Sequence, residues 1–223
     1  MQEPRWEDSR FTASFRSVET SVERFPSGCI EYGETFDDLA RMVDNLQYEG
    51  YILSPRNSYQ VNLTFDQCVV DQMCLANREC ISEPRLSAPR EVAKAVGRCA
   101  DLLLRVPQTG GMIVVEIEKA NEEKILRDVV KMLLFLDAGQ AELAALICPR
   151  NYVHSGGVWR VFDTARQVLR SFIHVTHLPE SQAKRLALIG CTQELFLNGH
   201  WARWDREARA EFQKRAKPHF ERN

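Results

Sequence analysis

Two carboxylates lie inside an otherwise apolar run. In Ile113-Val-Val-Glu-Ile-Glu-Lys119, extended backbone sends Val114, Glu116 and Glu118 to one face and Ile113, Val115, Ile117 and Lys119 to the other, because side chains alternate along a strand. The two acids are then about 6.6 Å apart, at roughly 3.3 Å per residue. Like charges that close raise each other's pKa unless a cation sits between them. A third acid, Asp101, stands fifteen positions before Glu116 in the run Cys-Ala-Asp-Leu-Leu-Leu. Three oxygen donors without His or Cys suit a hard ion, Mg²⁺ or Mn²⁺, rather than zinc. Such an ion neutralises charge on a phosphoryl group and activates water.

The elements around these acids must bring them together. Ala100 to Val106 and Met112 to Lys119 read as strands joined by Pro-Gln-Thr-Gly-Gly, whose glycines accept positive φ, so an antiparallel hairpin is expected that carries Asp101 toward the glutamates. Asn121 to Leu136 has the 3.6-residue period of a helix, with Ile125, Val129, Leu133 and Leu136 as its apolar stripe. On its polar side Asn121, Lys124, Asp128 and Lys131 follow one another at spacings of 3, 4 and 3, so a lysine there is placed to reach the acids. Ala141 to Cys148 reads as a buried strand stopped by Pro149, and Val158 to Ile173 as a further helix. Upstream, helices are expected over 35–46 and from Ser87 to about Arg98, and two strands over 50–64 around Ser-Pro-Arg-Asn-Ser. The order strand, strand, helix, strand, helix predicts an α/β fold, a mixed central sheet flanked by helices, in a single domain over 1–223 with additional N- and C-terminal helices.

Asp101, then Glu116-Ile-Glu118 at the end of the next strand, then a helix and a strand, resembles the PD-(D/E)XK nuclease core of restriction enzymes over residues 98 to about 153. The resemblance implies a restriction-endonuclease-like core, with Asp101 and Glu116 as metal ligands and position 118 as that of the family's lysine. Here position 118 is Glu, as in the E-x-E variant of BamHI-like restriction endonucleases, and Ala100 replaces the preceding proline. The lysine role then falls to Lys119, Lys124 or Lys131. The implied activity is Mg²⁺- or Mn²⁺-dependent hydrolysis of DNA phosphodiesters by a restriction-type enzyme. Its implied partners are double-stranded DNA and a second copy of the chain, since a two-fold dimer matches a symmetric site. The competing expectation is a non-catalytic nucleic-acid-binding or interaction protein on a decayed core, its acids solvated on an edge strand.

Composition bounds these readings. The 223 residues carry 29 Lys+Arg against 31 Asp+Glu, with 44% hydrophobic and 27% charged residues, an ordinary globular balance. Residues 1–50 hold 5 basic and 11 acidic side chains, and residues 201–223 hold 7 and 4. A basic helix over about 201–222 is expected, with Trp, Arg and Lys interleaved. No apolar run reaches the roughly 20 residues of a membrane helix, and the charged start lacks a signal-peptide pattern, so a cytoplasmic protein is expected. The seven cysteines contain no C-x-x-C pair and are expected to be thiols. His174 and His177 are expected to be structural. There is no phosphate-binding G-x-x-x-x-G-K loop, no G-x-G-x-x-G and no G-x-S-x-G, which argues against nucleotide triphosphatase, dinucleotide enzyme and serine hydrolase.

Overall fold

A computed structural model describes residues 10–53, 60–119, 121–154 and 157–221. The first part of the chain forms strand β1 (Arg10–Arg24), helix α1 (Gly33–Val43), strands β2 (Gln47–Leu53) and β3 (Gln60–Leu63), helix α2 (Phe65–Ala76) and strand β4 (Ile81–Ser82). Helix α3 (Arg90–Val96), strands β5 (Leu102–Arg105) and β6 (Met112–Ile117), helix α4 (Glu122–Asp137) and strand β7 (Leu143–Pro149) follow. The remainder comprises strands β8 (Tyr152–His154) and β9 (Gly157–Trp159), helices α5 (Val161–Val175) and α6 (Glu180–Ala183), strands β10 (Leu186–Leu197) and β11 (His200–Arg203), and helix α7 (Arg206–Glu221).

The result is a mixed α/β fold built on a nine-stranded mixed sheet, in the order β3-β2-β1-β10-β7-β6-β5-β4 with β11 paired to β10. β6 and β10 run parallel to β7, while β5 is antiparallel to β6 and β1 antiparallel to β10. The expected hairpin is present: Val106 N donates to Gly111 O at 2.8 Å, and Gly110 takes φ 72° in the turn. One sheet face packs Phe15, Ile113, Val115, Ile117, Ile189 and Trp204 against α1, α2 and α7. The other packs Val114, Leu146 and Leu188 against Ile125, Val129 and Phe135 of α4 and Phe162 of α5. Each such buried side chain contributes about 1.5–3 kcal/mol by leaving water. Strand alternation therefore assigns Glu116, two residues after Val114, to the α4 side, as the spacing predicts.

Helix α4 starts where expected because Asn121 takes extended backbone and its side chain accepts from Lys124 N at 3.1 Å. Removing this cap in Asn121→Ala is expected to cost about 1 kcal/mol of stability, read by urea denaturation. An unchanged midpoint would mean that packing alone sets the helix start.

Several expectations require correction. The helix expected from Val158 begins at Val161, because Gly157–Trp159 pair with Tyr152–His154 as a two-stranded ribbon. The expected C-terminal helix begins at Arg206 rather than 201. Trp201 and its neighbours pair with β10 instead, and Asp205 Oδ1 accepts from Ala208 N at 2.9 Å in the helix's first turn. Among the described residues the helix expected over 35–46 is α1, and the long strand β1, which the pattern does not predict, precedes it. The turn expected at Ser54–Ser58 lies outside the described residues. Cys74 and Cys80 form a disulfide, since the end of α2 and the start of β4 bring their Cα atoms within 5.0 Å, whereas Cys29, Cys68, Cys99, Cys148 and Cys191 are thiols. Both His174 and His177 are exposed. Among the described residues no helix is long and apolar enough to cross a membrane.

Candidate functional site

The carboxyl ends of β6 and β7 lie side by side, with Glu116 opposite Leu146 and Ile117 opposite Ile147. Such ends of parallel strands, outside the sheet, are where open α/β folds place ligands. Glu116 projects toward α4 and is only 2% exposed. Its Oε1 lies 2.8 Å from Lys131 Nζ, and the same ammonium lies 3.0 Å from Asp128 Oδ1. Glu118, just past the strand, is fully buried; its Oε2 lies 2.8 Å from Lys124 Nζ and its Oε1 accepts from Lys119 N at 2.7 Å. A side-chain hydrogen bond joins Glu118 to Asp128. Asp101 Oδ2 accepts from Ile117 N at 2.7 Å, which fixes the residue before β5 against the end of β6.

Two expected acids, Glu116 and Glu118, thus join one network with Asp128, Lys124 and Lys131, and Asp101 borders it. Lys119 does not enter it. It emerges on the opposite side, as strand alternation requires, and its Nζ lies 2.7 Å from Asp66 Oδ2 at the start of α2. Of the three candidate lysines, those of α4 reach the acids, and the polar stripe spaced 3, 4 and 3 is the signal that marks them. The same stripe contains Asp128, a fourth acid that the hairpin motif does not include. Gly97, which ends α3 at φ 95°, a conformation that favours glycine, lies against Lys131: a Cβ built there would touch Lys131 Cε at 3.4 Å.

Electrostatics divides the carboxylates into different states. Burial pushes Glu116 from the usual 4.5 up to about 9, against the pull of Lys131. Burial, together with the hydrogen bond to Glu118, pushes Asp128 from 3.8 up to about 6. Burial also opposes ionisation of Glu118, but hydrogen bonds from Asp128, Lys124 and the Lys119 N–H outweigh it and lower its pKa. Below about pH 6 Asp128 is thus the partner that carries the proton of this hydrogen bond, with Glu118 as its acceptor. Burial raises Asp101 despite the Ile117 N–H. The two ammonium groups are held charged: burial disfavours them, yet Glu116 with Asp128 raises Lys131, and Glu118 raises Lys124.

The cations among the acids are thus lysines. Among the described residues no group of three or more His, Cys, Asp or Glu side chains stands ready to hold a metal ion. In donor chemistry the site does fit a hard ion, because Asp101, Glu116, Glu118 and Asp128 offer only carboxylate oxygens. Lys124, half-exposed in the first turn of α4, is the ammonium with the freest path away. No protein-family model and no curated protein matches the sequence.

Proposed function

We propose that the chain is a metal-dependent endonuclease hydrolysing DNA phosphodiester bonds, with Asp101, Glu116 and Glu118 as the ligand set. The observation that carries this reading is the convergence of Glu116, Glu118 and Lys131, with Asp101 hydrogen-bonded to the backbone between the two glutamates, at the carboxyl end of β6. The succession β5, β6, α4, β7, with β5 antiparallel and β7 parallel to β6, supports a restriction-endonuclease-like core. A bound Mg²⁺ or Mn²⁺ would neutralise phosphoryl charge and make water a better nucleophile at this point.

The chain's own groups do the remaining work. Lys131 holds a positive charge where negative charge grows on the phosphoryl oxygens. Asp128, hydrogen-bonded to Glu118 and 3.0 Å from Lys131 Nζ, orients both groups. Lys124 occupies Glu118 until a stronger cation competes for the carboxylate. Lys124→Met is therefore expected to tighten Mn²⁺ binding about tenfold, whereas weaker binding would make Lys124 part of the receptive site. Cutting both strands of a duplex calls for a two-fold dimer.

A second reading is favoured by one observation: Glu116, Glu118 and Asp128 each lie within 3.0 Å of an ammonium. On that reading the network is a buried ionic core of a non-catalytic protein. Supercoiled plasmid and linear oligonucleotides incubated with the protein in Mg²⁺, Mn²⁺ or chelator separate the two. The endonuclease reading expects cleavage only with the metals, and intact substrate under every condition sides with the ionic core.

A further inference from the structure

Beyond the carboxyl ends of β6 and β7, β10 continues to Leu197 and pairs with β11 and β1. On the sheet face that carries Glu116, this extension presents side chains to solvent. Arg10, Thr12, Ser14 and Arg16 alternate along β1, Glu194 and Phe196 along β10, and Trp201 and Arg203 lie on β11, opposite Phe196 and Glu194. Tyr51 of β2 faces the same way opposite Thr12. Phe196 is 45% exposed, an unusual position for so large an apolar ring.

These side chains form two aromatic–arginine stacks. The Arg16 guanidinium lies 4.5 Å from the Trp201 ring centre, and Phe196 packs against Trp201 at 5.2 Å. The Arg10 guanidinium lies 4.5 Å from the Tyr51 ring. Glu194 is bound to Arg16 at 2.7 Å, and the exposed Arg203 stands opposite Glu194 on β11. Flat rings on an open sheet match the bases of an unpaired strand, and the guanidinium groups beside them match its phosphates; a duplex hides its base faces.

We propose that the β1–β10–β11 face binds single-stranded nucleic acid, with Trp201, Phe196 and Tyr51 as stacking partners and Arg10, Arg16 and Arg203 as phosphate contacts. The proposal deepens the endonuclease reading and, as a delivery route, rests on it. Leu188 of β10 is aligned with Glu116 through Leu146, and Phe196 lies eight residues further along the same strand, about 26 Å at roughly 3.3 Å per residue. A strand a few nucleotides long spans that gap, so the substrate class is single-stranded or strand-separated nucleic acid.

The test is fluorescence anisotropy of labelled oligo-dT and oligo-U with the full chain in chelator, where hydrolysis cannot interfere. Binding of either strand by the wild type, weakened about tenfold or more in Trp201→Ala, is expected. Arg203→Ala, at an exposed position, should lower the slope of log affinity against log salt by about 0.7. Absence of binding overturns the proposal, as does equal binding by the wild type and both folded variants. Glu116→Gln serves as control: retained binding without cleavage supports the face independently, whereas cleavage by a wild type indifferent to Trp201 and Arg203 removes the face and leaves the hydrolytic site standing.

Discussion

Glu116→Gln is expected to lower metal-dependent DNA cleavage by at least about 1,000-fold while leaving the fold intact. The substitution keeps the shape of the side chain and removes the oxygen charge that a hard ion needs. Several kcal/mol of charge stabilisation, at 1.36 kcal/mol per tenfold in rate, gives a loss of that order. The fold should survive because a group whose pKa burial pushes to about 9 is already disposed to be neutral at pH 7. The same shift fixes a sign for stability. Between 4.5 and about 9 the folded protein holds a proton on Glu116 that the unfolded chain releases, so this group's contribution weakens as pH rises through that window. Asp128, pushed to about 6, acts in the same sense between 3.8 and 6. The glutamine variant should therefore lose stability less steeply with rising pH than the wild type. Cleavage within tenfold of the wild type would remove Glu116 from the ligand set.

Lys131→Met should produce the largest loss of stability, about 3 kcal/mol near pH 9 and much less near pH 5. Methionine keeps most of the apolar stem that packs beneath Gly97 but deletes the charge lying 2.8 Å from Glu116 and 3.0 Å from Asp128. Breaking a buried pair leaves its carboxylates uncompensated, at a cost of roughly 3–5 kcal/mol when they are charged. At low pH both acids take up protons and most of that cost disappears. Urea denaturation of the variant and the wild type at the two pH values measures the difference. A destabilisation below about 1 kcal/mol at both pH values would show that Glu116 and Asp128 do not depend on this ammonium.

The local elements of the site were readable from residue pattern because local chemistry determines them. Glycines and proline between two apolar runs make the β5–β6 turn, the 3.6-residue period gives α4, and alternation places Glu116 and Glu118 together. Tertiary packing settles what the pattern leaves open. Which helix stripe meets the acids follows from how α4 lies on the sheet, and that packing brings in Lys131 and Asp128 while Lys119 turns to Asp66. Strand β10 is masked in sequence by Gly190, Thr192, Gln193 and Glu194, which are polar or small yet pair with β1. Trp201 sits in a segment whose charged pattern suits a helix, but pairing with β10 makes it a strand. The Cys74–Cys80 bond depends on how the chain turns after α2, which the spacing of six does not specify.

Calorimetric titration of Mn²⁺ into the wild type and Glu116→Gln, at pH 6 and pH 8.5, bears most directly on the ligand role of the buried acids. A ligand with a pKa near 9 must give up its proton to bind, so wild-type affinity should rise with pH and protons should be released on binding. The glutamine variant should show no comparable binding at either pH. Heats indistinguishable from dilution for the wild type at both pH values would contradict the account, leaving the acids and lysines as a network that holds the protein together and nothing more.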